Sequence, residues 1–164
     1  LIEDVRAAGR ELRPRPGIVE LMALMQHKII ISFGIEQMIR AWQIRHNLQC
    51  PIAAIRLSED GKGQVHGFNM NLILPMTKAL SAARWRELTG IFPERVMSIG
   101  DTIFDTDMMH PDGFNVLIVP PGEADRKVAA FRKGQLQHMW EKLTMVLYAD
   151  SLVPLAMLIK RAQE

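Results

Sequence analysis

Two aspartates separated by three residues follow a short apolar run near the middle of the chain. The run Val96–Ile99 is apolar except for one serine, and Gly100, Asp101 and, four residues later, Asp105 come after it. We expect the run to be a strand of a parallel sheet, and open α/β sheets bind ligands at the carboxyl ends of their strands. Two carboxylates there would form a hard oxygen site suited to Mg²⁺. The segment alone leaves open that Asp101 only caps the short helix after the strand.

A second candidate site combines a hydroxyl with backbone N–H groups. The apolar run Ile29–Ile31 leads into Ser32, Phe33 and Gly34, just before a helix predicted to begin at Ile35. A serine hydroxyl and the exposed N–H groups of a helix N-terminus form a natural cradle for phosphate. These three residues are therefore candidate phosphate ligands. In isolation, the alternative is that Ser32 is a simple N-cap.

A third candidate is Lys78, which lies at the opening of a helix predicted over Met76–Thr89. A cation is unfavourable there, because the N-terminus of a helix is the positive end of its dipole. An anion bound nearby would explain the lysine. The alternative is a solvated side chain with no function.

The elements that must position these residues follow from the apolar pattern. Short apolar runs rich in Ile and Val alternate with helical patterns, which predicts an α/β domain on parallel strands covered by helices on both faces. The predicted strands are Lys28–Phe33, Ile52–Leu57, Arg95–Ile99 and Phe114–Val119. The predicted helices are Gly17–Gln26, Ile35–Asn47, Met76–Thr89 and Ala124–Tyr148, and a turn at 58–63 predicts a small hairpin that continues through Val65–Leu74.

The order of the three candidate sites resembles a known pattern. A serine after one strand, a lysine opening a later helix and Gly-Asp-x-x-x-Asp after the next strand resemble motifs two, three and four of the haloacid dehalogenase superfamily. The stretches Arg15–Leu21 and Leu57–Lys62, with Gly67 after the second, are similar to its phosphoserine-phosphatase-like branch. The resemblance covers roughly Pro14–Val119 and implies a Rossmann-like three-layer α/β/α fold with a parallel sheet.

The resemblance also implies a role for each candidate residue in a Mg²⁺-dependent phosphomonoester hydrolase. Ser32, with the backbone of Phe33 and Gly34, would bind the transferring phosphoryl group of a small phosphorylated metabolite, and Lys78 would neutralise its charge. Asp101 would ligate Mg²⁺, and Asp105 would support that metal site or the lysine. Positioning and charge neutralisation are what a phosphoryl transition state needs.

The sequence departs from the family pattern in two places. Phe104 stands where this branch often has an asparagine, and no Asp-x-Asp-x-Thr or Asp-x-Asp-x-Val follows an apolar strand. That first motif carries the aspartate nucleophile, and the family places it before a helical cap. We interpret Leu1–Leu12 as the last helix of the cap or a connecting helix, and residues 13–164 as the core domain with a C-terminal helical extension. The first strand, its nucleophile and most of the cap are then expected upstream, and this chain alone is expected to be inactive. The alternative is a non-catalytic binding or scaffold module of the same fold.

Composition narrows the expected partners. Twenty Lys and Arg residues nearly balance eighteen Asp and Glu residues, so the net charge of +2 gives no field for nucleic acid or an anionic membrane. No apolar run is long enough to span a bilayer. A single cysteine, Cys50, fits a reducing cytoplasm. The tail Gln135–Glu164 has apolar residues at helical spacing, so a homodimer through C-terminal helices is one expectation, and packing on the core is the other.

Overall fold

The computed structural model of the chain describes residues 1–69, 75–123, 126, 128–129 and 137–164. These residues form two compact units, of which the first comprises Leu1–Thr77 with Ser151–Glu164 and the second comprises Lys78–Asp150. Residues 70–74 of the predicted hairpin, and most of 124–136 in the predicted long helix, lie outside the described residues. Within the described ranges, no helix is both long enough and apolar enough to cross a bilayer.

Helices and strands alternate along the chain, as the apolar pattern predicts for an α/β fold. The helices are α1 (Ile2–Glu11), α2 (Ile18–Leu24), α3 (Glu36–Arg45), α4 (Pro75–Thr89), α5 (Gln137–Trp140) and α6 (Val153–Gln163). The strands are β1 (Ile30–Ile35), β2 (Ile52–Glu59), β3 (Val65–Asn69), β4 (Met97–Gly100), β5 (Phe114–Val119) and β6 (Met145–Tyr148). Short 3₁₀ turns cover Pro93–Arg95, Ile103–Met108 and Pro121–Glu123.

The first unit contains a three-stranded sheet in the order β1-β2-β3. The first two strands are parallel, because α3 carries the chain back between them, and β3 returns antiparallel to β2 through a tight turn. Asp60 holds this turn, since its Oδ1 accepts the backbone N–H groups of Lys62 at 2.8 Å and Gln64 at 2.9 Å. The bonds from Gln64 and Lys62 hold the pKa of Asp60 below its ordinary value. The predicted hairpin is therefore confirmed.

The helices of the first unit pack in two pairs. α1 lies against α3, and a Cβ at Gly9 would overlap the backbone of Met38. α2 lies against α6, and Leu21 and Leu155 are both buried there. The predicted domain boundary after residue 12 stays a prediction, and α1 belongs to the first unit.

The second unit contains a parallel sheet in the order β4-β5-β6. Its centre is β5, in which every residue from Asn115 to Val119 is buried. Asn115 fixes the start of that strand, because its Nδ2 donates to the carbonyls of His110 at 2.6 Å and Lys142 at 2.8 Å. These two bonds satisfy the amide nitrogen, whereas the buried Oδ1 accepts no hydrogen bond from the described residues.

The long helix predicted over Ala124–Tyr148 is wrong at its C-terminal end. Residues Met145–Tyr148 form β6, which pairs parallel with β5, and α5 ends at Trp140. The apolar residues at helical spacing in this stretch fit either structure locally. Residues 145–148 form a strand because they pair with the edge of β5. A local sequence pattern does not show that this edge is available for pairing.

Candidate active site

The two aspartates occupy different positions after β4. Gly100 is the last residue of β4, and the exposed Asp101 follows it directly. The 3₁₀ turn Ile103–Met108 begins with Thr102 as its N-cap. Asp101 is therefore not the cap, and the capping alternative for that residue is wrong.

The side chain of Asp105 folds back over the end of β4. Its Oδ2 accepts the backbone N–H groups of Asp101 at 3.0 Å and Thr102 at 2.9 Å, and the Thr102 hydroxyl at 2.8 Å. A Cβ at Gly100 would overlap the Asp105 side chain. The glycine is thus required for this close approach.

The other oxygen of Asp105 pairs with Lys78. The Nζ of Lys78 lies 2.5 Å from Oδ1 of Asp105, and each residue is only 6% exposed. Lysine is almost never fully buried unless it is paired. The solvated-lysine alternative is therefore wrong, and Asp105 supplies the negative charge that a lysine near the opening of α4 requires.

The environment keeps Asp105 ionised. Burial alone would raise the pKa of its carboxyl, but hydrogen bonds from Lys78 and then from Thr102 outweigh burial and hold the pKa below its ordinary value. Because both carboxylate oxygens accept hydrogen bonds from the protein, Asp105 is a charged anchor for the lysine. Its assignment as a second metal ligand stays a prediction.

Asp101 is the residue of this unit that best fits a metal ligand. Among the described residues, no three Asp, Glu, His or Cys side chains form a cluster that could hold a metal ion. Mg²⁺ keeps several waters and takes few protein carboxylates, so one exposed aspartate at a strand end is compatible with it. The residues present therefore fit Mg²⁺ through one carboxylate of this unit.

Ser32, in the first unit, lies in a bulge of β1. Ile31 pairs with Ala53 and Ile35 pairs with Ile55, so three residues of β1 face one residue of β2. The N-cap of α3 is Ile35, and no side chain caps it. Ser32 is therefore not an N-cap. Instead, its Oγ accepts the N–H of Gly34 at 2.9 Å.

The bulge lies at the segment for which the sequence predicts a phosphate cradle. Bulges often re-aim side chains beside functional sites. Ser32, Phe33 and Gly34 lie together here at the carboxyl end of β1. Their phosphate-binding role stays a prediction.

Thr102 is the residue of the site that sequence reasoning missed. The structure brings Lys78, Asp105 and the backbone of Asp101 together, and Thr102 completes that group. A threonine followed three residues later by an acid is the spacing of a capping box. That spacing was present at Thr102 and Asp105 and could have found the pair.

Comparisons with known proteins identify the fold. No model of a protein family matches the sequence, and no curated protein is significantly similar to it. Among solved structures, an apo phosphoserine phosphatase matches with a TM-score of 0.68 and 18% identity, over 95% of this chain and 72% of that one. A substrate-bound phosphoserine phosphatase complex matches with a TM-score of 0.70 and 17% identity, over 96% of this chain and 69% of that one.

A third match is a probable phosphoserine phosphatase from Vibrio cholerae, with a TM-score of 0.71 and 18% identity. The match covers 99% of this chain and 47% of that protein, so this chain spans about half of its length. Identities this low show the fold alone. The implied fold is confirmed: the chain has the Rossmann-like α/β fold of these phosphoserine phosphatases.

Proposed function

We propose that this chain carries the phosphate-binding and magnesium-binding residues of a phosphatase that hydrolyses a small phosphomonoester. The observation that carries the proposal is the buried pair of Lys78 and Asp105 beside the exposed Asp101. A buried ion pair contributes little net stability compared with apolar residues of the same volume. A functional use for the Lys78 charge therefore explains the pair better than stability does.

Each residue has one task in the proposed reaction. Lys78 neutralises the charge of the transferring phosphoryl group, and Asp105 holds the ammonium in place. Asp101 would hold Mg²⁺, which when bound would neutralise negative charge on the phosphoryl oxygens and so reduce their repulsion of the attacking carboxylate. The Ser32 hydroxyl and the backbone after it bind the phosphoryl oxygens.

The proposed chemistry needs a carboxylate nucleophile that this sequence does not supply after an apolar strand. Attack by an aspartate would form an aspartyl-phosphate and release the alcohol, and water would then release phosphate. We place that aspartate in another part of the protein, upstream of residue 1. The solved structures that share the fold include an analogue of a phospho-aspartyl intermediate of a phosphoserine phosphatase.

The proposed reaction also sets the expected partners. The substrate is a small phosphorylated metabolite, and the compartment is a cytoplasm that supplies Mg²⁺.

We also propose that a second copy of the chain packs against α6, through the exposed apolar side chains of Val153, Met157 and Leu158. Sedimentation should then give a dimer that Met157→Glu converts to a monomer, and a monomeric unmodified protein would remove this part of the proposal.

The experiment that tests the proposal is hydrolysis of an aryl phosphate by the complete gene product, with Mg²⁺ and with excess chelator. We expect turnover with Mg²⁺ alone, and Asp101→Asn should lose most of it because the metal loses its carboxylate. Asp112→Asn, on an exposed loop of the same unit, is the matched control and should retain activity. Full activity in chelator, or a fully active Asp101→Asn variant, would refute the mechanism.

A further inference from the structure

The carboxylate of Asp105 divides its two oxygens between two tasks. Oδ1 faces the Lys78 ammonium, and Oδ2 accepts two backbone N–H groups and the Thr102 hydroxyl. A carboxylate rotates about its terminal bond unless both oxygens are held. The donors on Oδ2 therefore decide whether Oδ1 points at the lysine.

Only one of the three donors on Oδ2 depends on the type of residue. The N–H groups of residues 101 and 102 are present whatever side chains stand there, whereas the hydroxyl belongs to Thr102. Oxygen-to-oxygen hydrogen bonds near 2.8 Å are of ordinary strength, and those to an ionised carboxylate are stronger than neutral ones. The hydroxyl is thus the part of this arrangement that a substitution can remove while the backbone remains.

We propose that Thr102 is a positioning residue, which fixes the Asp105 carboxylate and through it the Lys78 ammonium. Thr102 acts through Asp105 and touches no reacting atom. Its effect on turnover rests on the proposed phosphatase function. Its effect on the orientation of Lys78 does not rest on that function.

We expect three substitutions at Thr102 to lower kcat to different degrees. Thr102→Ser keeps the hydroxyl and should stay within about twofold of the unmodified protein. Thr102→Val keeps the shape, removes the donor and hinders water from replacing it. We expect its kcat to fall about tenfold, which is the scale of one lost hydrogen bond to a charged group. Because Thr102 is exposed, water can replace the hydroxyl in Thr102→Ala, whose loss should lie between the two.

The separate changes in kcat and KM distinguish a positioning role of Thr102 from a general loss of structure. A misplaced Lys78 should lower kcat more than it raises KM, because charge neutralisation matters most in the transition state. Thr89→Val is the matched control, since Thr89 donates its hydroxyl to the Trp85 carbonyl within α4 of the same unit. That variant should leave kcat unchanged.

A second readout needs no turnover. The ¹⁵N resonance of the Lys78 ammonium, assigned through Lys78→Arg, should be sharp and slow to exchange in the unmodified protein and in Thr102→Ser. In Thr102→Val it should shift and exchange faster. Together with a kcat loss that Thr102→Ser rescues, this result supports the proposal. If Thr102→Val does not fold, Thr102→Ala is read in the same two measurements.

The outcomes distinguish this proposal from the phosphatase assignment. Unchanged kcat and an unchanged Lys78 resonance in Thr102→Val would overturn the role of Thr102 and leave the phosphatase intact. An unmodified protein that hydrolyses no aryl phosphate would overturn the proposed function, and the ammonium resonance would then decide the role of Thr102 by itself. An equal kcat loss in Thr102→Ser and Thr102→Val would also contradict the proposal.

Discussion

Lys78 and Asp105 form a short ion pair between two side chains that are 27 residues apart in the chain and nearly inaccessible to water. The pair connects the opening of α4 to the 3₁₀ turn after β4. The lysine position is therefore fixed by the loop that carries Asp101.

Removal of one member of this pair should destabilise the second unit. Asp105→Asn leaves the Lys78 ammonium buried without its counter-ion, and the free energy of unfolding should fall by about 3–5 kcal/mol. Denaturant unfolding at neutral pH measures this loss. Asp107→Asn, on a half-buried residue of the same turn, is the control and should cost much less.

The double variant Lys78→Met with Asp105→Asn tests the same pair by removing both charges. It should recover part of the stability lost in Asp105→Asn, because no buried charge is left without its counter-ion and the asparagine oxygen can still accept the bonds at residues 101 and 102. A double variant as unstable as the sum of two independent losses would mean that the two residues do not interact.

Gly100 should not tolerate a methyl group. Gly100→Ala places a Cβ within the volume of the Asp105 side chain, and overpacking of this kind costs about 1–3 kcal/mol. Gly122→Ala is a matched control in the same unit, because a Cβ there meets none of the described residues within 4 Å. Thermal melts of the two variants should differ accordingly. Equal melting temperatures would contradict the close approach of Asp105 to β4.

Ser32→Ala should lower turnover more than stability. The hydroxyl accepts one hydrogen bond, from the N–H of Gly34, and is only half buried, so its loss costs little folding energy. Kinetics and melts on the same samples of the complete gene product test this. Ser58→Ala on β2 is the control. If Ser32→Ala melts like a core truncation while each folded molecule keeps full activity, Ser32 is a structural residue.

The hairpin turn should weaken in acid. The pKa of Asp60 is lowered in the folded chain, so its contribution to stability is present above the ordinary value of 3.8 and is lost as the pH falls through the lowered value. Asp60→Asn keeps an acceptor oxygen but does not titrate. The difference in melting temperature between the two proteins should be constant near neutral pH and shrink below pH 4, whereas a difference that grows there would contradict the assignment.

The sequence predicted the elements whose signals are local. Phe114–Val119 is a strand at the predicted bounds, and the helices from α1 to α4 lie within two residues of their predicted ends or inside them. β6 was predicted as helix, because its assignment depends on the free edge of β5. The bulge at Ser32 was not predicted either, since it results from the register against β2.

The site shows the same division between local and distant information. Their positions on predicted elements and the family resemblance indicate Lys78, Asp101 and Asp105 as site residues. The hydrogen bonds that join Asp105 to Lys78 and to Thr102 require the fold of the turn after β4, which no spacing rule specifies. The sequence alone does not indicate the direction in which the Asp105 carboxylate points.

Hydrolysis of an aryl phosphate by the 164-residue chain, measured beside the complete gene product, tests the central claim most directly. That claim is that the chain holds binding residues without a nucleophile. We expect Mg²⁺-dependent turnover from the complete protein and none from the chain, because binding groups alone cannot replace the covalent step. Comparable metal-dependent turnover by the chain alone would contradict the account, because a nucleophile would then have to lie within these 164 residues.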